Sequence, residues 1–137
     1  MKPSPEREAE RWFRQAAQDL DDARYALAGA RFHLTCFLAQ QGAEKALKAA
    51  MYARGAEEVR GHSVARLCEE LTSLEPRFSH LKQKVAFLDR YYIPTRYPNG
   101  LPDGIPAEAF RRQDAEDAMT TAEALLRELR AGTFPGA

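Results

Sequence analysis

Two short stretches hold the side chains whose types and spacing could do chemistry. The first is Phe37-Leu38-Ala39-Gln40-Gln41-Gly42-Ala43-Glu44-Lys45-Ala46-Leu47-Lys48-Ala49-Ala50. At helical pitch Gln41, Glu44, Lys45 and Lys48 recur at spacings of three and four, so they stand on one face. Cys36, Gln40, Ala43, Leu47, Ala50 and Met51 share the adjacent arc, and alanine fills much of the remainder, which lets other helices come close. Polar groups at a packing boundary need partners. That points to a binding groove or a paired interface. The plainer alternative is a solvated face with an internal Glu44–Lys48 pair contributing about 0.3–0.5 kcal/mol.

The second stretch runs from Tyr91 to Pro106, with prolines at 94, 98, 102 and 106. It predicts a stiff loop that is neither helix nor central strand. Connections of this length in a small bundle are usually functional or disordered. Arg96 offers a planar fork for phosphate or carboxylate, and Tyr92 and Tyr97 can stack on a base or anchor a partner. The alternative is a rigid surface loop pinned by its own tyrosines.

Other candidates say less. His33 and Cys36 lie one helical turn apart, but no CxxC or HExxH accompanies them, so no metal is expected. His62, just before a helix start, could touch a ligand or bond nearby backbone. His80 reads as exposed, and Cys68 as a buried thiol on an apolar face. Acidic neighbours dilute Arg111 and Arg112. Neither a Gly-rich phosphate loop nor a serine or cysteine triad is present at useful spacing, and no cofactor is expected.

The elements that must position these groups are helices. The chain holds five valines and isoleucines against 24 alanines, a strong tilt toward helix. No segment alternates as a half-buried strand would. A first helix opens at Ser4-Pro5, buries Phe13, Ala16, Leu20 and Ala23, and stops near Gly29. A second runs from about Arg31 to Arg54, with Gly55 after it, which predicts an antiparallel hairpin. Ser63 caps a third helix that Pro76 ends. The fourth carries Phe78, Leu81, Val85, Leu88 and Tyr92 on one stripe. The last starts near Pro106, and residues 131–137 read as a flexible tail. The expectation is an all-α, up-and-down bundle of about five helices in one domain over 1–137, its core spanning about 6–130.

With 137 residues there is room for one core. Twenty Lys+Arg balance twenty Asp+Glu, which argues against a uniformly basic nucleic-acid coat but leaves room for a local patch. The sequence shows no membrane span and no signal-like leader, and two cysteines make no disulfide framework. A cytoplasmic setting is the expectation.

In order and spacing the chain resembles the HEPN family. The resemblance rests on Ala16–Leu20–Ala23 of the first helix and FLAQQGAEKALKA of the second. It continues through Gly61-His62-Ser63 opening the third, then Asp89 to Tyr92, then Arg96-Tyr97-Pro98, and it covers Glu10 to about Leu129. It implies the helical bundle and a common groove of Gln41, Glu44, Lys45, Lys48, Asp89, Tyr92 and Arg96, with His62 and Tyr97 beside it. It also implies a homodimer through the long helices and a minimal nucleotidyltransferase partner in a two-component, often toxin–antitoxin, module. In the family's ribonuclease branch a metal-independent Arg-X4–6-His motif cleaves RNA. Here Arg96 is followed by Tyr97-Pro98-Asn99-Gly100-Leu101-Pro102-Asp103, and the sequence has no histidine beyond His80. The leading expectation is therefore a non-catalytic nucleotide- or nucleic-acid-binding subunit. The alternatives are an RNA-cleaving toxin with an atypical pair, such as His62 with Arg96, or a purely structural helical dimer.

Overall fold

The computed structural model describes residues 3–134 and is all-helical, with no strand among them. Helix α1 (Pro5–Ala28) begins where Ser4 Oγ accepts the Arg7 N–H at 3.2 Å, with Pro5 in the first turn. Gly29 ends it, and α2 (Phe32–Ala53) returns antiparallel beside it, as the three-residue connection demands. Gly55, at φ +93°, follows the end of α2 in a conformation that glycine adopts without strain. α3 (Val64–Leu74) starts at Ser63, whose Oγ accepts from the Arg66 N–H.

Between α3 and the Pro-rich loop the chain departs from the expected fourth helix. Only α4 (Leu81–Val85) is regular, flanked by 3₁₀ turns at Pro76–Phe78 and Ala86–Tyr91. The tighter three-residue period sends Val85, Leu88 and Tyr91 to the core. An α-helical stripe would have placed Tyr92 there instead of Tyr91. Tyr92 is thereby released to the protein's flank, half-buried.

The last expected helix is likewise two. A short α5 (Pro106–Ala109) breaks at Phe110, whose extended backbone (φ −120°, ψ 142°) lets its ring meet Tyr91 edge-on at 5.8 Å. α6 (Arg112–Thr133) then starts under Asp114, which accepts the Arg111 N–H at 2.8 Å. The expected tail proves largely helical. Residues 131–133 continue α6, Arg54 and Arg77 donate to the Gly132 carbonyl, and Phe134 packs on Phe13 at 5.9 Å. Two guanidiniums on the Gly132 carbonyl, which the last turn of the helix leaves without a backbone partner, favour the extra turn. Residues 135–137 lie outside the described residues.

α2 is the central helix, packed by α1, α3 and α6. Its alanines 39, 43, 46, 49 and 50 are buried together with Leu47, so backbones approach closely on several sides. That closeness is why its few polar side chains are forced into specific partnerships.

Candidate functional site

Helix α2 buries Gln40, Glu44 and Lys48 almost completely. Lys48 Nζ donates to Glu44 Oε2 at 3.0 Å, with the two side chains 7% and 5% exposed, so the solvated-face alternative fails. Gln41 Nε2 donates to Gln40 Oε1 at 2.8 Å and leans on Glu44 Oε1 at 3.4 Å, while Gln40 Nε2 donates to the His62 carbonyl at 2.8 Å. His62 Nδ1 lies 3.2 Å from Glu44 Oε1. An ionised carboxylate only accepts, so Nδ1 carries the proton and Nε2 is left to the outside. The imidazole is 59% exposed and stacks on Tyr92 at 4.9 Å and 17°.

The loop completes this corner. Arg96 Nε donates to the Tyr92 carbonyl at 2.8 Å. Its guanidinium carbon sits 4.4 Å from the Tyr92 ring centre, 4.6 Å from Phe37 and 5.2 Å from Tyr97. Phe37 and Tyr92 are half-buried; Tyr97 is 51% exposed. Arg96 Nη2 is buried with no hydrogen-bond partner, and no carboxylate pairs with Arg96 among the described residues. A charge-bearing donor in a ring-lined site without an acceptor is costly unless a ligand supplies one. Thr95 Oγ1, by contrast, donates to the Tyr91 carbonyl at 2.5 Å and fixes the loop's root.

A family model for the HEPN domain matches residues 9–131. The chain belongs to the HEPN family. Solved structures agree with this. TT1696 from Thermus thermophilus is 35% identical, with 93% of this chain and 98% of that one covered at a TM-score of 0.82. ST0689, described as an archaeal HEPN homologue, is 36% identical over 98% and 100% of the two chains, TM-score 0.76. A HEPN domain protein of Thermotoga maritima, TM0613, is 28% identical over 88% and 94%, TM-score 0.67. Among curated proteins none matches.

In this HEPN domain the expected groove divides. Gln41, Glu44, Lys48, His62, Tyr92, Arg96 and Tyr97 form one continuous cluster. Lys45 turns instead to α1, where its Nζ reaches Asp19 Oδ2 at 2.5 Å while Gln15 holds the other carboxylate oxygen at 2.8 Å. Asp89 lies elsewhere too. Its carboxylate accepts from Ser63 Oγ (2.9 Å), Val64 N (2.6 Å) and Ala65 N (3.0 Å), so it anchors the N-terminus of α3. Asp89→Ala is expected to lower the unfolding free energy by about 2–3 kcal/mol, since three buried or half-buried donors lose a charged acceptor. Urea unfolding monitored by circular dichroism measures it, and a loss under about 1 kcal/mol would contradict the assignment.

Residues not singled out beforehand also matter. Phe37 forms one wall for Arg96, Gln40 props the His62 backbone, and Trp12 lies 5.7 Å beneath the Lys48 ammonium. A helical wheel shows Phe37 one turn before Gln41, but nothing in the sequence brings Arg96 to it. His80 is half-buried and bonds Glu128 through Nε2 at 2.5 Å rather than standing exposed. His33 is also half-buried, with Nδ1 unpaired. Burial pushes both the Cys36 and the Cys68 thiols up to about 12, so neither serves as a thiolate. Among the described residues no cluster of three His, Cys, Asp or Glu is placed to hold a metal, and no helix is long and apolar enough to cross a membrane.

Proposed function

We propose that the protein is a non-catalytic HEPN subunit that binds a phosphate-bearing ligand, a nucleotide or a nucleic-acid end, at Arg96. Arg96 Nη2, buried and unpartnered, carries this reading. Within the cluster Glu44 is offset by Lys48. The remaining positive charge is the Arg96 guanidinium. Its ε-nitrogen is already engaged and three rings surround its guanidinium carbon, so what it offers a ligand is the planar Nη edge that suits phosphate. Tyr97 is the exposed ring of the three around it and is the side chain that moves to admit an oxygen. Tyr92, Tyr97 and the His62 imidazole supply π-surfaces for a base.

The ligand is bound for a partner. We infer that the chain works as a homodimer beside a minimal nucleotidyltransferase in a two-component, toxin–antitoxin-like module, on the resemblance to HEPN proteins of that kind. Calorimetric titration with adenine and guanine nucleotides tests the site. Arg96→Ala should weaken binding at least tenfold, about 1.4 kcal/mol, while Arg96→Lys keeps part of it. Equal affinity in Arg96→Ala removes the proposal, and a collapse of its melting temperature would reassign Arg96 to structure. Affinity capture from the source cells, read by mass spectrometry, tests the partner.

A second reading has one observation in its favour. Glu44 fixes His62 in the tautomer whose Nε2 can take a proton, beside a guanidinium that can steady phosphate charge. Incubation of purified protein with RNA in chelator decides it: cleavage abolished by His62→Ala supports an RNA-cleaving toxin, and intact RNA supports the binding subunit.

A further inference from the structure

Histidine changes charge closer to neutrality than any other side chain, and His62 brings one to the Arg96 corner. Two contacts fix how a proton on it is felt. Glu44 Oε1, 3.2 Å away, holds the Nδ1 proton in both charge states. The proton that comes and goes therefore sits on Nε2, on a ring that is 59% exposed. His62 stacks on Tyr92 at 4.9 Å and 17°, and the Arg96 guanidinium lies over the same ring at 4.4 Å. The other charges nearby are committed. Lys48 of α2 takes the second oxygen of Glu44, and Asp89 is held by Ser63 Oγ and two backbone N–H groups at the start of α3. Arg60, on the segment that carries His62, pairs with Glu58.

We propose that His62 is a proton-operated gate for oxyanions at Arg96, a role that rests on the Arg96 reading. With Nε2 bare, a lone pair stands at the rim of the site and opposes the lone pairs of an oxyanion. With Nε2 protonated, the same atom becomes a charge-assisted donor, and the corner gains a second net positive charge beside the Arg96 guanidinium. Glu44 makes the change one of sign. While it holds Nδ1–H, neutral His62 has no N–H to turn outward, so the ring passes directly from acceptor to cationic donor. Anion binding is thereby tied to proton uptake, and the site tightens as pH falls.

Sulfate is the probe that tests this, because its own charge is constant across the histidine range and only the protein's protonation changes. Titration of the isotope-labelled protein is followed by nuclear magnetic resonance at the Arg96 Nε–H, at about pH 5.5 and 8. Sulfate should bind about tenfold more tightly at the lower pH. In His62→Gln, which cannot take the charge, the ratio of the two affinities should fall to about one. In His80→Gln, which alters the histidine bonded to Glu128, the tenfold ratio should persist. The amide spectrum of each variant verifies its fold. A wild-type affinity at Arg96 that ignores pH overturns the gate and leaves the Arg96 reading standing, and so does a tenfold ratio that survives in His62→Gln. No response of Arg96 to sulfate at either pH overturns both.

Discussion

Replacing Glu44 by alanine should lower the unfolding free energy by about 3–5 kcal/mol, because it strands the Lys48 ammonium in the interior without its counter-charge. Lys48 is nearly as buried as Glu44, and the other feature near its Nζ is the Trp12 ring at 5.7 Å, an attraction of about 1–2 kcal/mol at most. The His62 imidazole loses its acceptor in the same variant, while the Gln41 amide keeps its shorter bond to Gln40 Oε1. Guanidinium unfolding gives the value. Removing both charges with Glu44→Leu/Lys48→Met should recover most of the loss, since a buried ion pair does little better than well-packed apolar groups. A double variant as unstable as the single one would show that packing, not charge, sets the cost. A single variant within about 1 kcal/mol of wild type would mean that water reaches the pair.

The same pair shows where sequence periodicity stops being informative. Positions 41, 44, 45 and 48 share a face, yet at 3.6 residues per turn they fan across an arc of about 100°. Glu44 occupies one edge and Lys45 the other. A neighbouring helix on each side is enough to split them, Lys45 to Asp19 of α1 and Glu44 to His62 ahead of α3. The wheel places the stripe; the packing angles of α1 and α3 decide its partners.

Asp89 fails for a different reason. Ser63 already supplies a sound N-cap for α3, so no deficit in that helix's sequence announces a second acceptor 26 positions later. Tyr92 is subtler still. Val85, Leu88, Tyr91 and Tyr92 are all apolar or aromatic, so the pattern fits a period of three as well as one of 3.6. The 3₁₀ geometry that settles the matter sends Tyr91 inward and frees Tyr92 for His62 and Arg96. Helices α1, α2 and α3, the Ser4 and Ser63 caps and the turn at Gly55 were legible because each depends on local chemistry. The site depends on the junctions between helices.

Gly42 sits at the junction that all of this rests on, and Gly42→Val should cost about 3 kcal/mol. A β-carbon there would stand 2.6 Å from Leu20 Cδ2 and 2.9 Å from Leu20 Cγ, with the Ala16 carbonyl oxygen at 3.4 Å. Glycine in mid-helix forfeits about 1 kcal/mol of propensity relative to alanine, so its place in the most buried helix follows from the close approach of α1. Valine adds three carbons where the first already collides, and α1 must move outward. Because Asp19 is held to Lys45 across the same seam, that shift also strains the ion pair. Trimming the obstacle tests the cause. If the clash with Leu20 sets the cost, Leu20→Ala and Gly42→Val together should be more stable than the sum of their separate losses by at least about 1 kcal/mol. Strict additivity would place the strain elsewhere, against the Ala16 backbone, and would predict that no side-chain change on α1 restores the hairpin.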